Sequence, residues 1–353
     1  MVIKSDEKFR GRGVPSNPTN RFAPVASERC EDYDPSEDSA PRTQLIPDAS
    51  ATLINYNDSP DIPFTASINV YRGCEHGCAY CYARPTHEYL GFSSGLDFET
   101  KIVVKYHAPE LLRHELSSPK WKPQTIAMSG VTDCYQPAER KLQLTRRVLE
   151  VLAEFRNPVG IVTKNHLVTR DVDLLAELAK FNAVVVYISL TTLDAELTPK
   201  LEPRASLPKM RLAAIKTLHD AGVPVGVMLA PMIPGLNDHE IADLLAAAAQ
   251  AGAQSAGLVP LRLPFAVKDI FSDWLTRHFP DRKENVLNRI RSLRGGKLND
   301  ADFGSRMSGE GIWAEQLRQM FQVAVRKAGL NQRDYKLSTE HFRRPGGSQL
   351  SLL

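Results

Sequence analysis

Between Ser67 and Val259 the chain alternates short apolar runs with longer amphipathic stretches. The short runs predict strands at Ser67 to Tyr71, Thr125 to Ser129, Val159 to Thr163, Val184 to Leu190, Val223 to Leu229 and Ser255 to Val259. The stretches between them carry apolar residues at helical spacing. They predict helices at Glu110 to Leu116, Arg140 to Phe155, Val172 to Lys180, Pro208 to Ala221 and Asp238 to Ala251. Ala221-Gly222-Val223-Pro224 and Ala251-Gly252-Ala253 read as helix ends that pass at once into strands, because glycine accepts the left-handed conformation of a C-cap. Strand and helix in strict alternation argue for a parallel α/β sheet. Six such units fall short of the eight in a closed TIM barrel, so the count leaves an open, partial barrel or a doubly wound sheet.

The flanks lack this rhythm. From Met1 to Asp61 the residues are largely Pro, Ser, Asn, Asp and Arg, as in Gly11-Arg12-Gly13 and Pro18-Thr19-Asn20-Arg21. We expect an irregular arm over 1–61, its first part a disordered tail, with Thr52 to Tyr56 as a short strand leading into a core at 62–262. Beyond Leu261 the alternation stops. Phe265 to Phe279, Asn285 to Leu293 and Gly311 to Ala328 read as helices of an extension over 263–353 that would close the open side of the sheet.

Composition narrows the setting. The 353 residues are 42% hydrophobic, enough for a large core, and carry 44 Lys and Arg against 41 Asp and Glu. A net charge of +3 makes no global case for nucleic acid or an anionic membrane. The N-terminus has no apolar leader and no run reaches membrane-spanning length, so the expectation is a cytoplasmic protein. Five cysteines, three of them crowded together, do not resemble a secreted disulfide framework. Cys30, in the arm, reads as an exposed thiol.

The crowded three lie in Asn69-Val70-Tyr71-Arg72-Gly73-Cys74-Glu75-His76-Gly77-Cys78-Ala79-Tyr80-Cys81-Tyr82-Ala83, spaced C-x3-C-x2-C. Three thiolates on one loop can face a polynuclear iron–sulfur cluster, whose cubane form takes four ligands, and so leave one iron open for a substrate or cofactor. Gly73 and Gly77 suit a backbone that wraps closely around an inorganic core. The competing reading is a structural zinc site completed by His76 or His87. Zinc motifs usually bring a second separated pair of cysteines, and none is present.

Cys74, Cys78 and Cys81, with Tyr80 just before the third, resemble the signature of the radical S-adenosylmethionine (SAM) enzymes. The resemblance implies a [4Fe-4S] cluster on those thiolates, with the amine and carboxylate of SAM on the open iron. It implies reductive cleavage of SAM to a 5′-deoxyadenosyl radical that abstracts hydrogen from a substrate, the electron coming from a reductase such as flavodoxin or ferredoxin. It also decides for a partial (β/α)6 TIM-like barrel, whose site is built at the C-terminal ends of the strands. After the second strand, Thr132 and Asp133 stand where the family has a glycine-glycine-glutamate element for the SAM ammonium; Asp133 reads equally as a turn residue. Lys164 follows the third strand, and Ser189 ends the fourth, placed for a ribose hydroxyl. Arg204, in Leu201-Glu202-Pro203-Arg204-Ala205, is the candidate for the SAM carboxylate. Met228 and Ala230, on the fifth strand, are candidates for an adenine slot.

Tyr82 after the third cysteine, and Thr132-Asp133-Cys134-Tyr135-Gln136-Pro137, are similar to the spore photoproduct lyase-like subgroup. That subgroup uses a cysteine to return hydrogen to a substrate radical. Cys134 is therefore the candidate donor here, with Tyr135 second. Arg277, Arg282, Lys283, Arg289, Arg291, Arg294 and Lys297, joined by Arg343 and Arg344, form a basic region open to nucleic acid. Two function classes stay in view: a radical SAM enzyme with a lyase-like or other substrate, and a non-catalytic zinc-stabilised nucleic-acid-binding protein.

Overall fold

The structure, a computed structural model, describes residues 11–22, 41–333 and 336–345. Ten strands are found in it: β1 (Gln44–Pro47), β2 (Ile54–Tyr56), β3 (Ala66–Ile68), β4 (Tyr71–Arg72), β5 (Lys101–Val104), β6 (Ile126–Met128), β7 (Val159–Thr163), β8 (Val184–Ser189), β9 (Val225–Met232) and β10 (Ser255–Pro260). The main sheet runs β10-β9-β8-β7-β6-β3-β2. Its six strands from β3 to β10 are parallel, and β2 adds an antiparallel edge. The six parallel strands are those expected from the strand–helix alternation, and the order is consistent with the partial (β/α)6 TIM-like barrel that the family resemblance implies.

Alternation within each strand separates two faces. Ile161, Val184, Val186, Ile188, Val225, Val227 and Leu229 are fully or almost fully buried in one apolar cluster with residues of the outer helices. The neighbouring positions face the concave side, where Ser67, Ala127, Gly160 and Val185 lie in register, as do Val162, Tyr187, Gly226 and Ser255. These are mostly small, and Val162 is 41% exposed although it lies in a central strand. A closed barrel of eight strands packs its interior with bulky layers; here the concave face stays accessible.

Helices Ala108–Ser117, Leu144–Phe155, Val172–Ala179, Pro208–Asp220 and Ile241–Gln250 cover the convex face, close to the predicted spans. The expected helix from Arg140 is broken: Gln143 adopts φ +51°, separating the turn Glu139–Leu142 from the helix that follows. Buried Glu139 then receives the Thr145 N–H and the Tyr71 hydroxyl, which anchors the break. Helices Val267–His278, Lys283–Leu293 and Gly311–Ala328 form the C-terminal extension.

Two features depart from the sequence-based expectation. The strand foreseen at Ser67 to Tyr71 stops at Ile68, and Tyr71–Arg72 turns away to pair with β5 in a separate sheet, β1-β5-β4. Lys101–Val104 and Gln44–Pro47 are too brief to show a period of their own. Residues 11–22, expected to be disordered, instead lie packed across the cysteine loop, with Val14 and Asn20 buried. Cys30 falls outside the described residues. Of the basic residues, Arg294, Arg343 and Arg344 donate to backbone carbonyls and serve packing: Arg343 and Arg344 tie the chain end to Glu154, Ser118 and Trp121.

Among the described residues, no strand pairs with the outer edge of β10. Asn331 occupies part of it: its Oδ1 accepts the Ala256 N–H at 2.8 Å and its Nδ2 donates to the Ala256 carbonyl at 3.0 Å. Among the described residues, no helix is long and apolar enough to cross a membrane.

Candidate active site

The cysteine loop begins where β4 leaves the small sheet. Gly73 and Gly77 have φ of +83° and +70°, and a Cβ at Gly73 would meet His87 Cε1 and the Phe98 carbonyl at 2.9 Å. The loop is then pinned by its backbone. The Cys74 N–H donates to Phe98 O at 2.9 Å, while Gly73 O accepts from Thr132 Oγ1 at 2.8 Å and Gln136 Nε2 at 3.2 Å. Gln136 Oε1 takes the Glu75 N–H at 2.9 Å. The expected Thr132 thus holds the loop itself, and Gln136, not singled out from sequence, does the same.

Cys74 and Cys78 are buried, Cys81 is partly buried, and all are free thiols. Burial pushes the Cys78 and Cys81 thiols up, and mutual repulsion among the three sulfurs adds to it. Three thiolates in a dry loop need a shared cation. An iron–sulfur core provides one and takes one thiolate per iron, so the donor set fits a cluster with one iron left to another ligand. Among the described residues no trio of His, Cys, Asp or Glu is gathered as a single-ion site.

The two histidines weighed as zinc ligands differ: His76 has both ring nitrogens engaged inside the fold, while His87 Nδ1 is buried without a hydrogen-bond partner. The Asn165 carbonyl accepts from the Leu167 N–H and the Ser206 hydroxyl, so its amide NH2 faces His76 Nε2 at 3.1 Å. His76 Nδ1 lies 3.4 Å from Asp133 Oδ2, and although burial works against its charge, Asp133 and Cys74 push the imidazole up to about 10. His87 donates Nε2–H to Lys101 O at 2.9 Å. Burial lowers its pKa to about 4, which keeps it neutral.

Asp133 ties three loops together. It receives the Lys164 N–H at 2.8 Å, the Thr163 hydroxyl at 2.7 Å and the Tyr135 N–H at 2.9 Å. Burial works against its charge, yet His76 and these donors hold its carboxyl down at about 2. Its oxygens are fully engaged, which is the turn-residue role weighed from the sequence.

At the ends of β7, β8 and β9, three expected residues meet. Lys164 Nζ donates to Ser189 Oγ at 2.9 Å, and Ser189 Oγ donates to Ala230 O at 3.0 Å. Lys164 Nζ also lies 5.7 Å from the centre of the Tyr80 ring, within the cysteine loop, and 3.8 Å from Glu202. Glu202 is a buried hub: it accepts from Tyr80, from Thr191 and from Arg211, which in turn donates to Ser189 O at 3.0 Å. Burial alone would raise Glu202; Arg211 and Lys164 outweigh it and hold it at about 2. Neither Glu202 nor Arg211 was singled out from sequence, and only the strand-end position of Glu202's partners hinted at it.

The remaining candidates lie apart. Arg204 pairs with Glu75 at 2.8 Å, and its N–H donates to His76 O, so it buttresses the cysteine loop from outside. Met228 lies against Gly257, where an added Cβ would stand 2.6 Å from its sulfur. Cys134 and Tyr135 are buried in the main apolar cluster. Burial pushes the Cys134 thiol up, keeping it protonated.

The sequence matches the Radical SAM superfamily over residues 68–248. An uncharacterized protein of Mycobacterium tuberculosis, Rv2578c, is 36% identical over 296 residues, covering 83% of this chain and 81% of its own. The uncharacterized protein MJ0683 of Methanocaldococcus jannaschii is 33% identical over 173 residues, covering 49% of this chain and 62% of its own. Among solved structures, a spore photoproduct lyase mutant with bound AdoMet and dinucleoside spore photoproduct superposes with a TM-score of 0.60 at 16% identity, covering 81% of this chain and 80% of that one. With its three-cysteine loop at the mouth of a half-barrel and a family match over half its length, the chain belongs to the radical SAM superfamily and is a radical SAM enzyme.

Proposed function

We propose that Cys74, Cys78 and Cys81 hold a [4Fe-4S] cluster and that the Lys164–Ser189–Ala230 group holds part of SAM beside it. The observation that carries this is the meeting of three strand ends next to the cysteine loop. When bound, the cluster and SAM supply a 5′-deoxyadenosyl radical for hydrogen abstraction.

The chain's own residues do the holding. Among the described residues Lys164 Nζ has one carboxylate, Glu202, within ion-pair distance and is available to a second, while Ser189 offers a hydroxyl that a ribose can replace as Lys164's partner. Thr132 and Gln136 keep the cysteine backbone in one shape, and Asp133 couples that shape to the strand ends through His76 and Lys164. The electron donor is a reductase such as flavodoxin or ferredoxin, and the compartment is the reducing cytoplasm.

For the substrate, the likeness to spore photoproduct lyase supports a lyase-like reaction on nucleic acid as the first case to test. Cys134 is too deeply set to meet a substrate radical directly, so a donor role for it requires its loop to open. Anaerobically reconstituted protein should form deoxyadenosine from SAM under a strong reductant. Absence of cleavage together with zinc at unit stoichiometry would favour the zinc-stabilised binding protein. Incubation with UV-irradiated DNA tests the lesion substrate, and deuterium transfer into deoxyadenosine from labelled candidates identifies any other.

A further inference from the structure

Among the described residues, one half-buried cation at the barrel mouth has neither a carboxylate nor a backbone carbonyl for its guanidinium. Arg262 follows β10, and its neighbours Leu261 and Leu263 are buried in the second apolar cluster. The Leu261 N–H donates to Met232 O at 2.9 Å, so the backbone here is fixed. The Arg262 side chain reaches toward the cysteine loop, where its guanidinium lies 5.9 Å from the centre of the Tyr82 ring. Tyr82 directly follows Cys81, is 51% exposed and donates its hydroxyl to Gly130 O at 2.6 Å. The pair therefore spans from the end of β10 to the loop after β6, along the rim of the open concave face.

The contrast with neighbouring arginines is chemical. Arg84 pairs with Glu99 and donates to Cys78, Ser94 and Gly95 carbonyls; Arg211 pairs with Glu202. Arg294 donates to the carbonyls of Leu261, Ser305 and Arg306. Arg306 grips Asp61 through two bonds of 2.6 Å. Arg262 has only the Met307 sulfur, 3.1 Å from Nη1, and its Nε–H is buried with no partner. Among the described residues no carboxylate lies within ion-pair distance of it. The backbone bonds of Arg294 place all three guanidinium-bearing segments side by side, so three guanidinium charges face the two carboxylates of Asp61 and Asp300 and the local charge is positive. Leaving a buried guanidinium N–H without a partner is costly, and a ligand that supplies the anion removes that cost.

The geometry points to an anion subsite for the substrate: Arg262, backed by Arg294 and Arg306 and flanked by Tyr82, takes a phosphate or carboxylate group. The reading deepens the proposed function, because it fixes the substrate's charged end at the rim beside Tyr82. It rests on that proposal for the direction in which the reacting atoms lie.

Arginine side-chain NMR on the full chain, prepared anaerobically, tests it with inorganic phosphate and acetate as separate probes, each with and without SAM. The Arg262 Nε–H signal, identified by its loss in Arg262→Lys, should shift saturably with one or both anions and still do so with SAM present. The stronger of the two names the substrate's charged group. Arg262→Gln should weaken anion binding roughly tenfold or more, and Arg262→Lys, which keeps the charge but not the fork, should fall between. Arg318→Gln, altering an exposed arginine paired with Glu315, is the control and should bind as the parent does. Unchanged binding in Arg262→Gln, no saturable shift with either anion, or displacement of both anions by SAM would overturn the subsite. None of these readouts uses SAM cleavage, so the subsite and the radical reaction fail separately.

Discussion

The barrel wall and the cradle of the cysteine loop are built on opposite principles. In the wall, Val184, Val186, Ile188, Val227 and Leu229 are completely buried against helices, and each contributes about 1.5–3 kcal/mol by leaving water. In the cradle Cys74, Ala83 and Phe98 form a small cluster of their own, while Cys78, Ala79 and Tyr80 pack with Leu197, Leu201 and Trp274. What sets it apart from the wall is the share of buried charge and backbone contact. Buried Glu99 pairs with Arg84, accepts the Gly13 N–H at 3.0 Å, and gives its carbonyl to Arg12 at 2.7 Å. Glu75 joins Thr43 to Arg204. A wall tolerates a lost methyl group by partial relaxation. A cradle of paired charges does not tolerate a missing partner.

Four experiments break or sharpen that contrast, from the largest expected effect to the smallest. Cys81→Ser should abolish SAM cleavage and cluster absorbance while the thermal midpoint of the apoprotein stays close to that of the parent; a large drop in that midpoint would mean the cradle supports the wall. Glu99→Ala strands the Arg84 guanidinium, so urea unfolding should show a loss of about 3–5 kcal/mol, with less iron retained. Ile188→Ala should cost about 2–5 kcal/mol by opening a cavity in the wall, yet leave iron content per folded molecule unchanged. Gly13→Val has the smallest effect on unfolding and a clear one on the cradle. A Cβ at Gly13 would stand 1.7 Å from Gly77 O, so the arm must lift, and cluster absorbance should bleach faster in air. Equal bleaching would show that residues 11–22 do not shield the loop.

The charge hub beneath the cysteine loop adds a pH signature. Glu202 is held at about 2 against an ordinary 4.5, so it contributes stability that is complete above pH 4.5 and fades as pH falls toward 2. Glu202→Gln should be less stable at neutral pH and should lack that acid-side decline in the urea midpoint. A decline of equal size in both proteins would assign it to other carboxylates.

The same contrast explains what the sequence could disclose. Periodicity found the wall because burial behind helices demands a repeat: Val159 to Thr163 and Gly311 to Ala328 match the observed spans. The cysteine spacing found the loop because cluster ligation demands fixed thiols, and the rule that sites follow strands brought Lys164, Ser189 and Ala230 together. The cradle escaped notice because its partners are far apart in the chain and have no period. Gly13 meets Glu99 across 86 residues and Tyr80 meets Glu202 across 122. Arg12 and Gly13 looked like parts of a polar, low-order tail because such segments lack apolar residues, whereas their role uses backbone N–H groups and a guanidinium. Charge in a sequence likewise does not reveal whether a carbonyl inside the fold engages it, as happens at Arg294.

A half-barrel that ends on a bare strand offers any extended peptide a template for cross-strand growth. By lodging one amide on Ala256, Asn331 uses up the very donor and acceptor that an incoming chain would recruit first. The outer border of the sheet is thus partly capped by a side chain of the same molecule, which leaves fewer backbone groups there for another chain to pair with.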